Sequence, residues 1–481
     1  VLAGLAGSGA TLLGSPGCSF LHGSRKAAAS DPAQLDLGDA ARGVRARSLS
    51  PVDLTKACLE RIDRLDRRLN AFITVTPERA LADARNAESE ITQGRWRGPV
   101  HGIPIALKDN VDTAGVRTTA ASALFAERVP TGDAEVVRRL KASGAIVLGK
   151  LNMHELGMGS TSAISHFGPV HNPWDLERIA GGSSGGPAAA VAAGLCFGAV
   201  GTDTGGSIRI PAACCGIVGL KPTYGVVSTE GTVPLAASLD HVGPMCRTVA
   251  DSAFMFRSMT DHPVAREFDP DDPLPVSRLR VGVLSTVGAL CDKPAEDEIQ
   301  AVFDAALEVI RALVADVREA ELPLPDLGAL VEAEAYAYHT ANLERTPERY
   351  DPRTRKAFLA GKGISGAELA RLHHELARHR AAIRDAFGRV DLVVVPTLTQ
   401  PPPALRDAGD PFEFPFACTF AFNVGGLPSL SVPCGFTRSG LPIGLLVSGP
   451  PLADPRVLAL AHAYERATAW HRRRPPLWSL T

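Results

Sequence analysis

Gly102-Ile103-Pro104-Ile105-Ala106-Leu107-Lys108-Asp109-Asn110 is an apolar run ending on a lysine, and its reading decides the fold class. Residues 103–107 have the length and content of a short buried strand. Ala145-Ile146-Val147-Leu148-Gly149 is a second such run. Between them, residues 134–143 have helical spacing and are closed by Gly144. Strand–helix–strand alternation predicts an α/β protein with helices on both faces of a sheet.

Upstream, residues 36–95 read as helical. Leu54, Cys58, Ile62 and Leu65 recur about one turn apart, and Ser50-Pro51 with Asp53 makes a helix start. Downstream, residues 180–225 are rich in Gly, Ala and Ser. Pro187 followed by residues 188–193 predicts a helix with proline in its first turn and Gly194 at its end. The proline-rich stretch 262–278 reads as a linker or surface excursion. A strand at 281–284, a helix at 296–315 and a helical block at 328–388 follow. Residues 392–396 and 429–433 look like core strands ending on prolines.

Composition narrows the function classes. Of 481 residues, 45% are hydrophobic and 21% charged, which suits a globular protein with a large core. A formal net charge of −2 offers no electrostatic grip on nucleic acid or an anionic membrane, and 5% aromatics offers little for base stacking. No run approaches the roughly 18 uninterrupted apolar residues of a membrane span. The nine cysteines show no CxxC spacing and read as buried small hydrophobes, Cys214-Cys215 included, rather than a disulfide framework. Residues 1–20 carry no charge, and Arg25-Lys26 and three alanines follow. With no basic stretch before the apolar run, residues 1–35 read as either an export-signal remnant or a disordered tail. Location, cytoplasmic or exported, turns on residues 1–29.

Two serine–glycine clusters carry the chemistry. One is Gly181-Gly182-Ser183-Ser184-Gly185-Gly186, and the other is Asp203-Thr204-Gly205-Gly206-Ser207-Ile208-Arg209. A hydroxyl nucleophile needs a base to take its proton and donors to hold the oxyanion that forms. Ser207 follows two glycines, so the N–H groups of Thr204, Gly205, Gly206 and Ser207 are candidate oxyanion donors. Lys108 is the candidate base, because burial at a strand end favours the neutral amine. The competing reading is a tight turn or anion-binding nest at Gly205-Gly206. The missing GxxxxGK counts against a phosphate loop, and no GxSxG elbow surrounds either serine. His374-Glu375 with His379 has the wrong spacing for a zinc HExxH, and His154-Glu155 lacks a second histidine. No metal or cofactor is expected.

Taken in order along roughly 45–472, these motifs resemble the amidase signature family. That family comprises Ser–Ser–Lys amidohydrolases: fatty-acid-amide, aryl and peptide amidases and the A subunit of glutamine-dependent aminoacyl-tRNA amidotransferase. The likeness runs through the three segments above and Ile210-Pro211. It continues through Gly219-Leu220-Lys221-Pro222-Thr223, Ser238-Leu239-Asp240-His241-Val242-Gly243-Pro244-Met245, Asn423-Val424-Gly425-Gly426-Leu427-Pro428 and Gly440-Leu441-Pro442-Ile443-Gly444. Pro187 departs from the Ser or Ala of many relatives.

The resemblance implies a single α/β domain at 36–475, with a central mixed twisted sheet between helical layers. It places the nucleophile on Ser207, the bridging serine on Ser183 behind a cis Gly182–Ser183 peptide, and the base on Lys108. Asp203 and Arg209 become structural supports of the oxyanion loop. The implied reaction is hydrolysis of a carboxamide through a seryl acyl-enzyme. The expected partner is a small-molecule amide, with no nucleic acid or membrane span, and a homodimer is left open. Residues 328–388 and 401–422 would line the substrate, with Phe412, Phe414, Phe416, Phe420 and Phe422 suggesting an apolar acyl or aryl pocket. The alternative is the A subunit of the amidotransferase. In the glutamine-dependent members an acidic residue stands seven positions before the asparagine matching Asn423. Here that place is Phe416, with Asp410 and Glu413 as alternatives if the alignment slips.

Overall fold

In the computed structural model, which describes residues 32–286, 291, 293–323, 325–408 and 417–480, the run ending on Lys108 is a strand with every residue buried. In chain order the strands are β1 (Phe72–Val75), β2 (Pro104–Lys108), β3 (Ile146–Leu151), β4 (His171–Asn172), β5 (Asp175–Ile179), β6 (Gly198–Asp203) and β7 (Val218–Lys221). They continue with β8 (His241–Cys246), β9 (Arg280–Leu284), β10 (Asp316–Ala320), β11 (Leu392–Pro396), β12 (Ser429–Phe436) and β13 (Pro442–Ser448). The pair β4–β5 stands apart. The other eleven form one sheet in the order β1-β3-β2-β6-β8-β7-β12-β13-β11-β9-β10. β2 runs parallel to β3 and β6, and β9 runs parallel to β10 and β11. The remaining pairs are antiparallel, so the sheet is mixed.

Every residue of β2, β3, β6, β7, β8, β11 and β13 is buried, so helices and loops cover both faces of the sheet centre. The edge strands β1 and β10 are partly exposed. This is the predicted α/β class. Among the described residues no helix is long and apolar enough to cross a membrane.

Several central strands are not anticipated by periodicity. Gly198-Ala199-Val200-Gly201-Thr202-Asp203 and His241-Val242-Gly243-Pro244-Met245-Cys246 lack alternation and carry residues poor in strand propensity. Close packing explains the glycine in β8: a β-carbon on Gly243 would lie 2.1 Å from the Leu220 carbonyl oxygen of β7. The stretch 36–95 divides into helices Leu37–Arg45, Pro51–Leu69 and Pro77–Thr92, with β1 between the last two. The Ser50 hydroxyl accepts the N–H groups of Val52 (3.1 Å) and Asp53 (3.2 Å), capping the second helix. The helix predicted from Pro187 begins earlier, as Gly185–Ala192. The block 328–388 resolves into Gly328–Arg345, Pro352–Ala360 and Gly366–Ala386.

The cysteine reading needs correction. Cys291 and Cys418 form a disulfide with a Cα–Cα distance of 5.3 Å, across 127 residues of sequence. No local spacing announces such a pair. Cys58, Cys196, Cys214, Cys215, Cys246 and Cys434 are buried free thiols, as expected. Cys18 and most of the 1–35 tail lie outside the described residues.

Closing so long a loop removes entropy from the unfolded chain. Reduction should therefore lower the unfolding free energy by about 2–4 kcal/mol. Urea titrations with and without a phosphine reductant read this directly, and coincident midpoints would show that the bond contributes nothing.

Candidate active site

Lys108 reaches its place through the sheet. The parallel register of β2 on β6 pairs Leu107 with Val200, which sets Lys108 beside Thr202. Its amine lies 2.8 Å from Ser183 Oγ, 2.8 Å from Thr202 Oγ1 and 3.4 Å from the Thr202 carbonyl. Asn110 Nδ2 also donates to Thr202 Oγ1, at 3.2 Å. Burial pulls the Lys108 pKa down from 10.5 to about 7, against the opposing pull of the Asp203 and Asp240 carboxylates.

Ser183 stands in the loop that enters the helix Gly185–Ala192, behind a cis Gly182–Ser183 peptide. Its carbonyl accepts the His154 N–H (3.0 Å) and the Ser162 hydroxyl (3.3 Å). The adjacent Ser184 splices the two clusters together. Its N–H donates to Ser207 O at 3.1 Å, and its hydroxyl donates to Thr202 O at 3.1 Å. Exposure grades the candidates: Lys108 is 0% exposed, Ser183 2% and Ser207 9%. Ser207 is thus the hydroxyl that a ligand can best approach.

The loop from Thr204 to Ser207 takes its shape from Asp203. The Asp203 carboxylate accepts the N–H of Gly206 (2.7 Å) and of Ile208 (3.0 Å). Arg209 pairs with it through Nε (3.0 Å) and Nη2 (2.9 Å), and Asn423 Nδ2 adds another bond at 2.8 Å. Burial pushes the Asp203 carboxyl up, but Arg209, Lys221 and Asn423 override it and hold it well below the usual carboxylate range. The Gly206 N–H, one of the four expected donors, is thus engaged by Asp203. Thr204, Gly205 and Ser207 remain as candidate donors. The Thr204 side chain donates to Asp240, which also accepts the N–H groups of Leu235 and Ala236. Burial raises Asp240 to about 6 against those three bonds.

Thr202, Asn110, Asp240 and Asn423 lie inside or beside the motifs read from the sequence, but nothing local assigned them these contacts. An apolar cluster that includes Leu156, Met158, Val233, Leu235, Tyr350 and Phe358 lies beside Ser183. A β-carbon on Gly157, between Leu156 and Met158, would sit 3.9 Å from Ser183 Oγ. Of the phenylalanines at 412–422, Phe422 is core and Phe420 packs at the edge of another cluster. Phe412, Phe414 and Phe416, with Asp410 and Glu413, lie outside the described residues. Burial lowers His154 to about 3, and its Nδ1 accepts the Ser162 N–H at 3.1 Å.

A family model described as Amidase matches residues 53–458. The A subunit of glutamyl-tRNA(Gln) amidotransferase from Moorella thermoacetica is 39% identical over 90% of this chain and 96% of its own length. The solved peptide amidase of Stenotrophomonas maltophilia superposes with a TM-score of 0.79 at 31% identity, over 92% of this chain and 98% of that one. The solved A subunit of the same amidotransferase from Thermotoga maritima gives a TM-score of 0.74 at 32% identity, over 92% and 96%.

A reaction that needs the Lys108 amine uncharged should run fully above its pKa and slow as pH falls through about 7. The pH dependence of kcat/KM between 5 and 9 reads that acidic limb. A rate that stayed level down to pH 5 would exclude Lys108 as the base.

Proposed function

The chain belongs to the amidase signature family, an enzyme family acting on amide carbon–nitrogen bonds, and from that premise we propose that it cleaves carboxamides through an acyl-enzyme on Ser207. The observation that carries this reading is the buried Lys108 amine 2.8 Å from Ser183 Oγ, in a loop bonded to that of the more exposed Ser207. Neutral Lys108 takes the proton of Ser183 as Ser183 takes that of Ser207. The Ser207 oxygen then attacks the amide carbonyl. The N–H groups of Thr204, Gly205 and Ser207 hold the developing oxyanion. Ser183 returns the proton to the leaving nitrogen, ammonia or amine departs, and water attacks the acyl-enzyme by the same relay. Asp203 and Arg209 keep the loop in shape without touching the substrate.

A second reading is favoured by the Moorella relative, whose likeness spans nearly both chains. In that reading glutamine is the amide, the ammonia passes to a partner protein, and the expectation of no nucleic acid gives way to a tRNA-bearing assembly. Sequence likeness supports this alternative better. The stand-alone reading draws support from the fold, which superposes more closely on the peptide amidase than on the Thermotoga amidotransferase structure. The disulfide adds to that side, since such bonds persist in oxidising compartments. Both readings share the acyl-enzyme.

Ser207→Ala should lose amide hydrolysis by several orders of magnitude, on the order of the losses seen when a serine nucleophile is removed. A fluorophosphonate should label the natural protein and not this variant. Labelling that persisted in the variant would falsify the nucleophile assignment.

The substrate question has its own test. The purified chain alone is offered acyl amides, aryl amides, dipeptide amides and L-glutamine, then glutamine again with the B subunit of an amidotransferase. Turnover of the small carboxamides without a partner supports the hydrolase. Glutamine hydrolysis that emerges only with the partner establishes the second reading.

A further inference from the structure

The helix Ala417–Val424 grips the oxyanion loop from more than 200 residues away in sequence. Thr419, its third residue, is fully buried and donates its hydroxyl to the Gly205 carbonyl at 2.6 Å. The Thr419 carbonyl accepts Arg209 Nη1 at 2.9 Å. One turn on, Asn423 Nδ2 donates to the Asp203 carbonyl (3.1 Å) and carboxylate (2.8 Å). The approach is close enough that a β-carbon on Gly206 would lie 2.2 Å from Thr419 Oγ1. Cys418, the preceding residue, is bonded to Cys291, so the first turn of this helix is covalently tethered.

Gly205 C=O and Gly206 N–H belong to one planar peptide. Thr419 holds its oxygen and Asp203 holds its N–H, so the unit is pinned at both polar ends. The candidate donors Gly205 N–H and Ser207 N–H flank that unit along the chain, one before it and one after it. We propose that Thr419 is a positioning residue for the reaction: its hydroxyl fixes the Gly205–Gly206 peptide and so aims the flanking N–H groups at the oxyanion. This rests on the acyl-enzyme reading above. Asp203 alone leaves the peptide free to tilt about its N–H end, and the Thr419 hydroxyl removes that freedom. The contribution is specific to the charge that develops on the substrate oxygen, so it belongs to the transition state and not to ground-state binding.

The test compares Thr419→Val, which keeps shape and removes the donor, with Thr419→Ser, which keeps the donor. Thr419→Ala serves as the second donor-free variant should the valine variant not fold, and Ser207→Ala is the control. The probe is fluorophosphonate inactivation, whose phosphoryl oxygen uses the same donors, read beside kcat and KM on a carboxamide the natural protein turns over. Thr419→Val should slow inactivation and kcat about 10- to 100-fold, somewhat less than outright loss of an oxyanion donor, with KM within about twofold. Thr419→Ser should stay within about threefold of the natural rate. Should Ser207→Ala still be labelled, the acyl-enzyme reading itself fails. Should Ser207→Ala be silent while Thr419→Val and Thr419→Ala react at the natural rate, the positioning role alone is overturned. Equal losses in the valine and serine variants overturn it too, because the hydroxyl would then not be what matters.

Discussion

The Asp203 carboxylate sits at the end of β6, fully out of water, with five donor atoms converging on it: two loop N–H groups, two guanidinium nitrogens and the Asn423 amide. A buried charge is tolerable only when paired and hydrogen-bonded, so the chain around it has little choice of path. Gly206 and Ile208 must turn their N–H groups inward, and Arg209 must fold back over the loop. The helix Ala417–Val424 must stand where Asn423 can reach. The N–H groups of Thr204, Gly205 and Ser207, which Asp203 does not take, are those the proposed reaction uses. The shape of the 204–207 loop thus follows from solvating one buried carboxylate with protein instead of water.

Burial alone does not make a lysine a base, and this fold contains its own controls. Lys108, Lys150 and Lys221 are all fully buried, and burial lowers the pKa of each. Lys150 lies 3.7 Å from Asp109, with the Val111 carbonyl and Thr118 hydroxyl as further acceptors. Lys221 is turned toward the Leu427 and Pro222 carbonyls and His241. These two tie chain segments together. Lys108 alone of the three points at a serine hydroxyl in a loop bonded to a second, more exposed serine. The difference is direction, set by the register of β2 on β6, rather than acidity.

A stand-alone hydrolase and an amidotransferase differ less at this centre than at its rim. In the mechanism proposed above, either activity uses the same lysine, serines and amides to cleave a carboxamide. What separates them is the wall that selects the amide and the route by which the nitrogen leaves. An apolar cluster drawn from residues 153–158, 233–235 and 335–358 lies on the Ser183 side of the centre. The acidic candidates for holding a glutamine ammonium are Asp410 and Glu413, in the segment after residue 408.

Much of this protein was legible in its sequence. Runs of β-branched and aliphatic residues marked β2, β3, β9, β11 and β12, because a strand buried on both faces must be apolar throughout. Glycine and serine clusters marked the loops where backbone must approach a reacting carbon closely. The strands β6, β7 and β8 left no such mark, because their glycines answer to close tertiary packing and not to a local period. The Cys291–Cys418 bond, the Gly206 N–H bond to Asp203 and the grip of Thr419 and Asn423 on the loop were likewise beyond local reading. Each joins groups whose meeting depends on the whole sheet having closed. Residue types and short spacings determined which chemistry the chain can carry. Only the tertiary structure decided what holds the loop after Asp203, because a hydrogen bond spanning more than 200 residues leaves no trace in the sequence between its ends.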